Sequence, residues 1–209
     1  MDTILFAITQ DWPVLLPILA CSIATIGVAI ERWFFYSRNK RDVVQFIHRL
    51  QRELQRGSLE NAQILSAQLG GIIGEVSEEG LRVLAEHRDG FDRSFDITCS
   101  LASRKLQKYL PVLATIGTIT PYLGLFATVF RILIVFGEFA KTTDAGSQQI
   151  MLGIGSALIA TAFGLGVAIL AVTLNNYFQS TVNRYEDDFQ LLKLLFLSFA
   201  DSRETTAAR

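Results

Sequence analysis

The sequence contains few of the residues on which metal proteins and many enzymes depend. It has two cysteines, Cys21 and Cys99, and two histidines, His48 and His87, in 209 residues. Two cysteines cannot form a disulfide framework or a zinc cluster, and two histidines cannot supply a multi-His metal site. Charged residues make up only 19% of the chain, below the roughly 25% usual in soluble domains. The 19 Lys and Arg balance 20 Asp and Glu, so the basic excess expected of a nucleic-acid-binding protein is missing.

Catalytic patterns are missing from the sequence as well. No nucleophile lies in a recognisable pattern with a base. The Gly-x-Gly pairs at 153–155 and 164–166 fall inside an apolar run, which is the wrong context for a phosphate-binding loop. We therefore expect a protein that is not an enzyme, with no catalytic residue, no metal and no cofactor.

Three long apolar runs are present instead. The run 12–30 is uncharged, the run 109–136 contains one charge, Arg131, and the run 150–178 contains none. A bilayer core of about 30 Å requires ~20 apolar helical residues, so all three runs predict membrane spans. A buried core helix would explain one such run better than three. A signal peptide is a weaker interpretation of the first run, because residues 1–11 contain no Lys or Arg.

Lys and Arg near the ends of the runs predict the orientation. Residues 1–11 carry none and 137–149 carry only Lys141, whereas 37–108 carry twelve and 179–209 carry four. The predicted order is 1–11 outside, a first span 12–36, a helical domain 37–108 inside, a second span 109–136, a loop 137–149 outside, a third span 150–178 and a tail helix 179–209 inside.

The inside segments have helical periodicity. A stripe at 43, 47, 50 and 54 precedes a break at Gly57-Ser58, where Ser58 is a plausible N-cap, and further breaks are expected at Gly70-Gly71 and Gly90. Two more apolar stripes follow, one in each segment that adjoins a later span. They are formed by Phe91, Phe95, Cys99, Ala102, Leu106 and Leu110, and by Val182, Tyr185, Phe189, Leu192, Phe196 and Phe199. Since no Pro interrupts 91–110, we expect one helix to continue from 91 into the second span.

The predicted fold is therefore an all-α membrane protein with three transmembrane helices, two of them extended into a helical bundle on the inside. Each amphipathic helix must bury its apolar face against another surface. Packing within one chain and packing between copies of a homo-oligomer satisfy this requirement equally well.

The second and third spans each carry small residues on one helical face, which permits close approach of two helices in lipid. The face of the second span contains Gly117, Pro121, Gly124 and Thr128, together with Arg131, and the face of the third contains Gly153, Ala157, Ala160, Thr161, Gly164 and Ala168. Plain helix packing accounts for part of both faces. The hydroxyls of Thr128 and Thr161 also suit a narrow polar path.

Neither of these two spans contains Asp, Glu, His or Lys, although an ion or proton relay requires a titratable group. Arg131 does not titrate usefully and lies near the outer end of its span, where it can snorkel. Glu31 and Arg32 at the inner end of the first span suggest an interfacial ion pair. If the protein moves protons, the titrating carboxylate must come from another chain.

Two long motifs resemble the ExbB/TolQ/MotA family of proton-channel proteins. The stretch Gln107–Phe136, QKYLPVLATIGTITPYLGLFATVFRILIVF, is similar to the family's second-span signature. The stretch Gly153–Asn175, GIGSALIATAFGLGVAILAVTLN, is similar to the third-span signature of the ExbB and TolQ branch. Glu31-Arg32 at the close of the first span also resembles that branch.

The resemblance implies a homopentamer in the bacterial inner membrane, with the N-terminus periplasmic and the C-terminus cytoplasmic. The pentamer would enclose single helices of an ExbD- or TolR-like subunit, each carrying an essential Asp. Proton flow would then transmit force to a TonB- or TolA-type protein. The family's ion-path threonines align with Thr128 and Thr161, with Ser156 as a third path residue.

Three departures from the family pattern bear on conduction. Ser156 replaces the usual acidic residue, Leu170 replaces a proline, and Ala127, Phe130 and Arg131 replace Gly, Trp and Gly. Loss of the acid and gain of Arg131 leave an alternative open, in which the chain is a non-conducting membrane scaffold of the same fold. Arg131 could otherwise contact an acid on the partner.

Overall fold

The structure, a computed structural model, describes residues 12–86, 90–139 and 147–207. The predictions for 1–11, for His87 and for most of the loop 137–149 lie outside these residues. The described residues form seven helices and no strand. They are α1 (Trp12–Asn39), α2 (Val43–Gln55), α3 (Leu59–Leu69), α4 (Gly71–Glu86), α5 (Phe91–Gln107), α6 (Leu110–Phe139) and α7 (Ser147–Ala207).

Three of these helices, α1, α6 and α7, contain stretches long and apolar enough to cross a membrane. The predicted all-α fold with three membrane-spanning helices is confirmed. Their most apolar stretches keep large side chains exposed, because lipid tails rather than water are the solvent that such a surface suits.

The chain divides into two compact units. The first comprises Met1–Glu31 and Tyr109–Tyr177, and the second comprises Arg32–Lys108 and Phe178–Arg209. Helices α1 and α7 contribute residues to both units, and α7 alone is 61 residues long. The predicted extension of the third span into a tail helix is therefore confirmed.

Local capping sets the helix ends of the second unit, as the sequence predicted. The Ser58 hydroxyl accepts a hydrogen bond from the Asn61 amide and begins α3. Gly70 and Gly71 have φ values of 61° and 64°, which is a backbone conformation that glycine adopts without steric cost. The breaks expected at Gly57-Ser58, Gly70-Gly71 and Gly90 are thus confirmed.

Aromatic residues form the core of the second unit. Phe95 and Phe196 are fully buried and meet edge to face, with ring centroids 5.6 Å apart. Gly80 packs directly against both rings. The six tail residues of the predicted stripe, from Val182 to Phe199, are all buried, so packing within this unit satisfies that stripe.

The expected continuous helix from 91 through the second span is wrong at one point. Helix α5 ends at Gln107, α6 begins at Leu110, and Lys108 and Tyr109 form a turn between them. Tyr109 has φ 69°, a left-handed conformation that costs a non-glycine residue energy. The absence of proline did not predict this break, because the turn is made without proline or glycine.

Candidate functional site

The small-residue faces of α6 and α7 pack against each other in antiparallel order within the first unit. A Cβ atom built on Gly117 would lie 2.6 Å from a methyl group of Val172, and one on Gly153 would lie 2.4 Å from a methyl group of Val135. Real Cβ atoms do not approach this closely, so an alanine at either position would force the opposing valine side chain to shift. The packing role predicted for these faces therefore agrees with the geometry.

The two backbones approach each other closely around Gly124 and Gly164. A Cβ on Gly164 would lie 2.9 Å from the Thr120 carbonyl oxygen and 3.1 Å from the Gly124 Cα. Ala157 and Ala160 are also buried along this face, and Pro121 is half-buried. Small residues on both helices thus allow two polar side chains to meet between them.

Those polar side chains are Thr128 and Thr161, whose hydroxyl oxygens are hydrogen-bonded to each other. Each hydroxyl also reaches the Gly124 carbonyl oxygen at 3.1 Å. The Thr128 hydroxyl lies 3.3 Å from the Ala157 carbonyl oxygen as well. The structure therefore brings together the two threonines that the sequence singled out, and both remain partly exposed.

The hydroxyl pair has more acceptors than protons. Each threonine hydroxyl carries one proton and two lone pairs, whereas the pair faces two carbonyl oxygens in addition to each other. In one arrangement, Thr128 donates to the Thr161 hydroxyl and Thr161 donates to the Gly124 carbonyl oxygen. In the other, Thr161 donates to the Thr128 hydroxyl and Thr128 donates to the carbonyl oxygen of Gly124 or Ala157. The direction of the hydrogen-bond chain can therefore reverse by rotation of the hydroxyl groups.

Ser156 is placed differently from the threonines. Its side chain is buried and donates to the Gly153 carbonyl oxygen at 2.9 Å, within its own helix. A hydroxyl that is satisfied by its own helix is cheap to bury in a membrane span. Its assignment as a third path residue stays a prediction.

Large apolar side chains of α6 point away from the hydroxyl pair. Leu125, Phe126 and Leu133 are each more than half exposed in the single chain, whereas Ala127 is buried. Their exposed surface is suited to lipid or to another apolar helix. Helix α6 therefore has one face of small residues packed against α7 and another face of large, exposed apolar residues.

Arg131 is buried rather than extended along the surface. Its side chain is 6% exposed, and it lies one helical turn beyond Thr128. The structure therefore does not show the snorkelling of Arg131 that the sequence analysis considered. Its contact with an acid on a partner stays a prediction.

A second polar site, in the second unit, involves Arg32. This side chain is 2% exposed, and its guanidinium donates to the carbonyl oxygens of Lys105 and Leu106 at 3.2 and 3.3 Å. The Tyr36 hydroxyl donates to the Leu106 carbonyl at 2.8 Å, and the guanidinium lies 4.4 Å from the Phe35 ring centre. Together they cap the C-terminus of α5, where carbonyls lack helical partners and the helix dipole favours a cation.

Sequence reasoning did not predict this cap, because its donor and acceptors are more than 70 residues apart. Glu31 is exposed, and its ion pair with Arg32 stays a prediction. Within 12–86, 90–139 and 147–207, no cluster of three or more His, Cys, Asp or Glu side chains could hold a metal ion.

Comparison with known proteins gives consistent matches. Residues 68–191 match the MotA/TolQ/ExbB proton channel family, and this range contains both Thr128 and Thr161. The Tol-Pal system protein TolQ of Pseudomonas aeruginosa is 39% identical over 111 residues, which cover 50% of this chain and 48% of the relative.

Two further relatives are similar over shorter stretches. TolQ of Haemophilus influenzae is 37% identical over 100 residues, covering 48% of this chain and 44% of the relative. The biopolymer transport protein ExbB of Pseudomonas putida is 40% identical over 85 residues, covering 41% and 26%. The matches thus span less than half the length of each of these three relatives.

Proposed function

Because the chain belongs to the MotA/TolQ/ExbB proton channel family, we propose that it is a proton-channel subunit of an energy-transducing complex in the bacterial inner membrane. The observation that carries this proposal is the contact between the Thr128 and Thr161 hydroxyls, beside the Gly124 carbonyl. Protons are the coupling ion, and the chain needs no cofactor.

The hydroxyl pair serves as a relay rather than as the titrating group. A threonine hydroxyl accepts one hydrogen bond while it donates another, so the pair can pass a proton between two titratable neighbours by reorienting. The second and third spans contain no carboxylate. A carboxylate on the single membrane helix of an ExbD- or TolR-like subunit takes up and releases the proton.

The proposed assembly is a homopentamer in which the α6–α7 pair of each copy borders that partner helix, with the partly exposed Thr128 and Thr161 turned toward it. Gly117, Pro121, Gly124, Gly153, Ala157 and Gly164 keep the helices close enough for the polar path to form, and Ser156 extends the path. Force produced by proton flow reaches a TonB- or TolA-type protein. Charge asymmetry supports a periplasmic N-terminus and a cytoplasmic C-terminus, because the segment 37–108 carries twelve Lys and Arg.

The second candidate is a non-conducting membrane scaffold of the same fold. The buried side chain of Arg131, one turn beyond Thr128, favours it. A fixed positive charge in a low-dielectric span repels protons that pass nearby.

Proton flux distinguishes the two candidates. The full chain is co-expressed with the ExbD- or TolR-like protein of the same bacterium and reconstituted into vesicles that contain a pH-sensitive dye. Thr128→Val and Thr161→Val keep the side-chain shape but remove the hydroxyls, so each should abolish most of the flux. Thr128→Ser should retain it, because a hydroxyl remains.

Thr173→Val is the matched control. Thr173 is exposed, lies on the same helix as Thr161 and donates to the carbonyl of Ile169 at 2.8 Å, so its loss should leave flux unchanged. Flux that survives the double Thr128→Val and Thr161→Val variant would refute the proposed path. If the chain shows no flux but Arg131→Gly does conduct, the scaffold is the correct assignment.

A further inference from the structure

Helix α3 separates two grooves of opposite charge in the second unit. On its α2 side lies a groove of about 440 Å³, and on its α4 side lies a groove of about 590 Å³. The charged residues that line the first are Arg49, Arg52, Arg56 and Glu53. Those that line the second are Glu75, Glu78, Glu79 and Arg82. The first groove carries a net charge of +2 and the second a net charge of −2.

An apolar side chain lies between the two grooves. Ile64 lines both of them and is 50% exposed. The surface of this unit therefore consists of a positive groove, an apolar ridge and a negative groove, side by side. We call this the two-signed surface.

The charges of the two-signed surface are available to a partner. Arg56 is 70% exposed, and Glu75 and Arg82 are 61% and 57% exposed. Some of these charges are already paired within the chain. Arg56 pairs with Glu53 and Arg82 with Glu79, each three residues away on or beside one helix, and Glu75 pairs with Lys105 of α5. Exposed pairs of this kind exchange readily for others because they contribute little stability.

We propose that the two-signed surface binds the same surface of a second copy of this chain, related by a two-fold axis that passes beside Ile64 and runs along α3. Rotation about this axis places the α2 side of one surface against the α4 side of the other. The positive groove of each copy then faces the negative groove of its partner, and the two Ile64 side chains meet at the centre. An isologous contact of this kind is self-complementary, with one patch used twice.

This contact differs from the ring proposed above. In a closed ring of five copies each interface is heterologous, so a residue does not meet its own counterpart. A two-fold contact instead joins chains that belong to neighbouring assemblies. It is weak for a single pair and becomes effective when many copies are confined in one membrane.

Charge reversal tests the proposal. One variant of the full chain carries Arg49→Glu, Arg52→Glu and Arg56→Glu, so both its grooves are negative. The other carries Glu75→Lys, Glu78→Lys and Glu79→Lys, so both are positive. Assemblies of each variant are labelled separately with donor or acceptor and then reconstituted together in vesicles. Assemblies of one variant alone should show little energy transfer between them, whereas donor-labelled assemblies of one variant should transfer energy to acceptor-labelled assemblies of the other.

Crosslinking at the axis provides a second measurement. In a Cys21→Ser and Cys99→Ser background, Ile64→Cys should form homodimers with a short bismaleimide. The yield should fall at least about fivefold at high salt, where charges are screened over a few ångströms. Ile97→Cys is the control, because Ile97 is 63% exposed but lies on α5.

Two results would overturn the proposal. One is a dimer yield for Ile64→Cys no higher than for Ile97→Cys. The other is a mixture of folded charge-reversed variants that associates no better than either alone. Should the reversed variants unfold, the Ile64→Cys yield and its salt dependence decide the matter alone.

Discussion

Gly124 lies so close to Thr161 that a Cβ atom at position 124 would sit 3.1 Å from the Thr161 Cα. This spacing is what allows the Gly124 carbonyl oxygen to accept hydrogen bonds from Thr128 and Thr161. A single methyl group at this point would therefore require the Thr161 backbone to move by a few tenths of an ångström, which would disturb the hydroxyl pair.

Gly124→Ala should destabilise the full chain by about 1–3 kcal/mol, the usual cost of overpacking. The expected readout is a lower thermal unfolding midpoint in detergent, accompanied by loss of proton flux in vesicles. Gly155→Ala and Gly166→Ala are matched controls on α7. Nothing lies within 4 Å of a Cβ at either position, so both should be neutral or slightly stabilising, since alanine is the better helix former. Equal effects at all three positions would contradict the close approach.

The buried hydroxyls of Ser66 and Ser77 lie 2.8 Å apart and link α3 to α4. Ser66→Ala should lower the free energy of unfolding by ~1–3 kcal/mol, because the Ser77 hydroxyl loses this partner while buried. Ser77→Ala should cost less, since Ser66 can still donate to the Ala62 carbonyl at 2.9 Å. A double-mutant cycle from chemical denaturation measures the coupling, and a coupling near zero would rule out the bond. Ser198→Ala, at an exposed site, should have little effect.

Because Arg32 caps α5, its substitution should lower the free energy of unfolding substantially, although the sequence suggested only an interfacial charge at this position. Arg32→Met removes the donor to the Lys105 and Leu106 carbonyls and should cost about 2–3 kcal/mol, as for other bonds to charged groups. Tyr36→Phe should cost about 1 kcal/mol. Arg38→Met is the control, because Arg38 is exposed on the same helix. Thermal unfolding that is identical for Arg32→Met and Arg38→Met would show that the cap contributes nothing.

Cys99 should react slowly with alkylating reagents at neutral pH. Burial, with a smaller effect from Asp96, raises the pKa of the Cys99 thiol to about 11. Because the thiolate is the nucleophile, the iodoacetamide rate in a Cys21→Ser chain should rise about tenfold per pH unit up to pH ~10. The denatured chain should level off near the ordinary value of about 8.5. A plateau at about pH 8.5 in the folded chain would contradict the effect of the partial burial of Cys99.

The raised pKa of the Cys99 thiol also determines how this residue changes the free energy of unfolding with pH. The folded chain holds the Cys99 proton more tightly than the unfolded chain, so this contribution is complete below the ordinary thiol pKa. It is lost as the pH rises toward 11. Cys99→Ala should remove this part of the alkaline destabilisation.

Local rules predicted much of the second unit. The glycine breaks, the Ser58 cap and the buried tail stripe follow from propensities and periodicities that act within a few residues. The same reasoning placed Thr128 and Thr161 on small-residue faces. That the two hydroxyls bond to each other depends on the register of α6 against α7, which no local pattern specifies.

Two features could not be predicted for the same physical reason. The turn at Lys108-Tyr109 places a tyrosine in a left-handed conformation, which only tertiary contacts can maintain against its intrinsic cost. The carbonyls just before that turn are satisfied by Arg32 and Tyr36, which are about 70 residues away in the chain. A helix end that is completed by a distant side chain leaves no signal in its own sequence.

The partners that Arg32 contacts have a chemical consequence for a protein proposed to handle protons. A guanidinium remains charged throughout the physiological range, and a peptide carbonyl has no proton to lose. The hydrogen bonds from Arg32 on α1 to the carbonyl oxygens at the end of α5 therefore have the same strength in acid and in mild alkali. Local acidification that accompanies ion movement would therefore leave these hydrogen bonds unaltered.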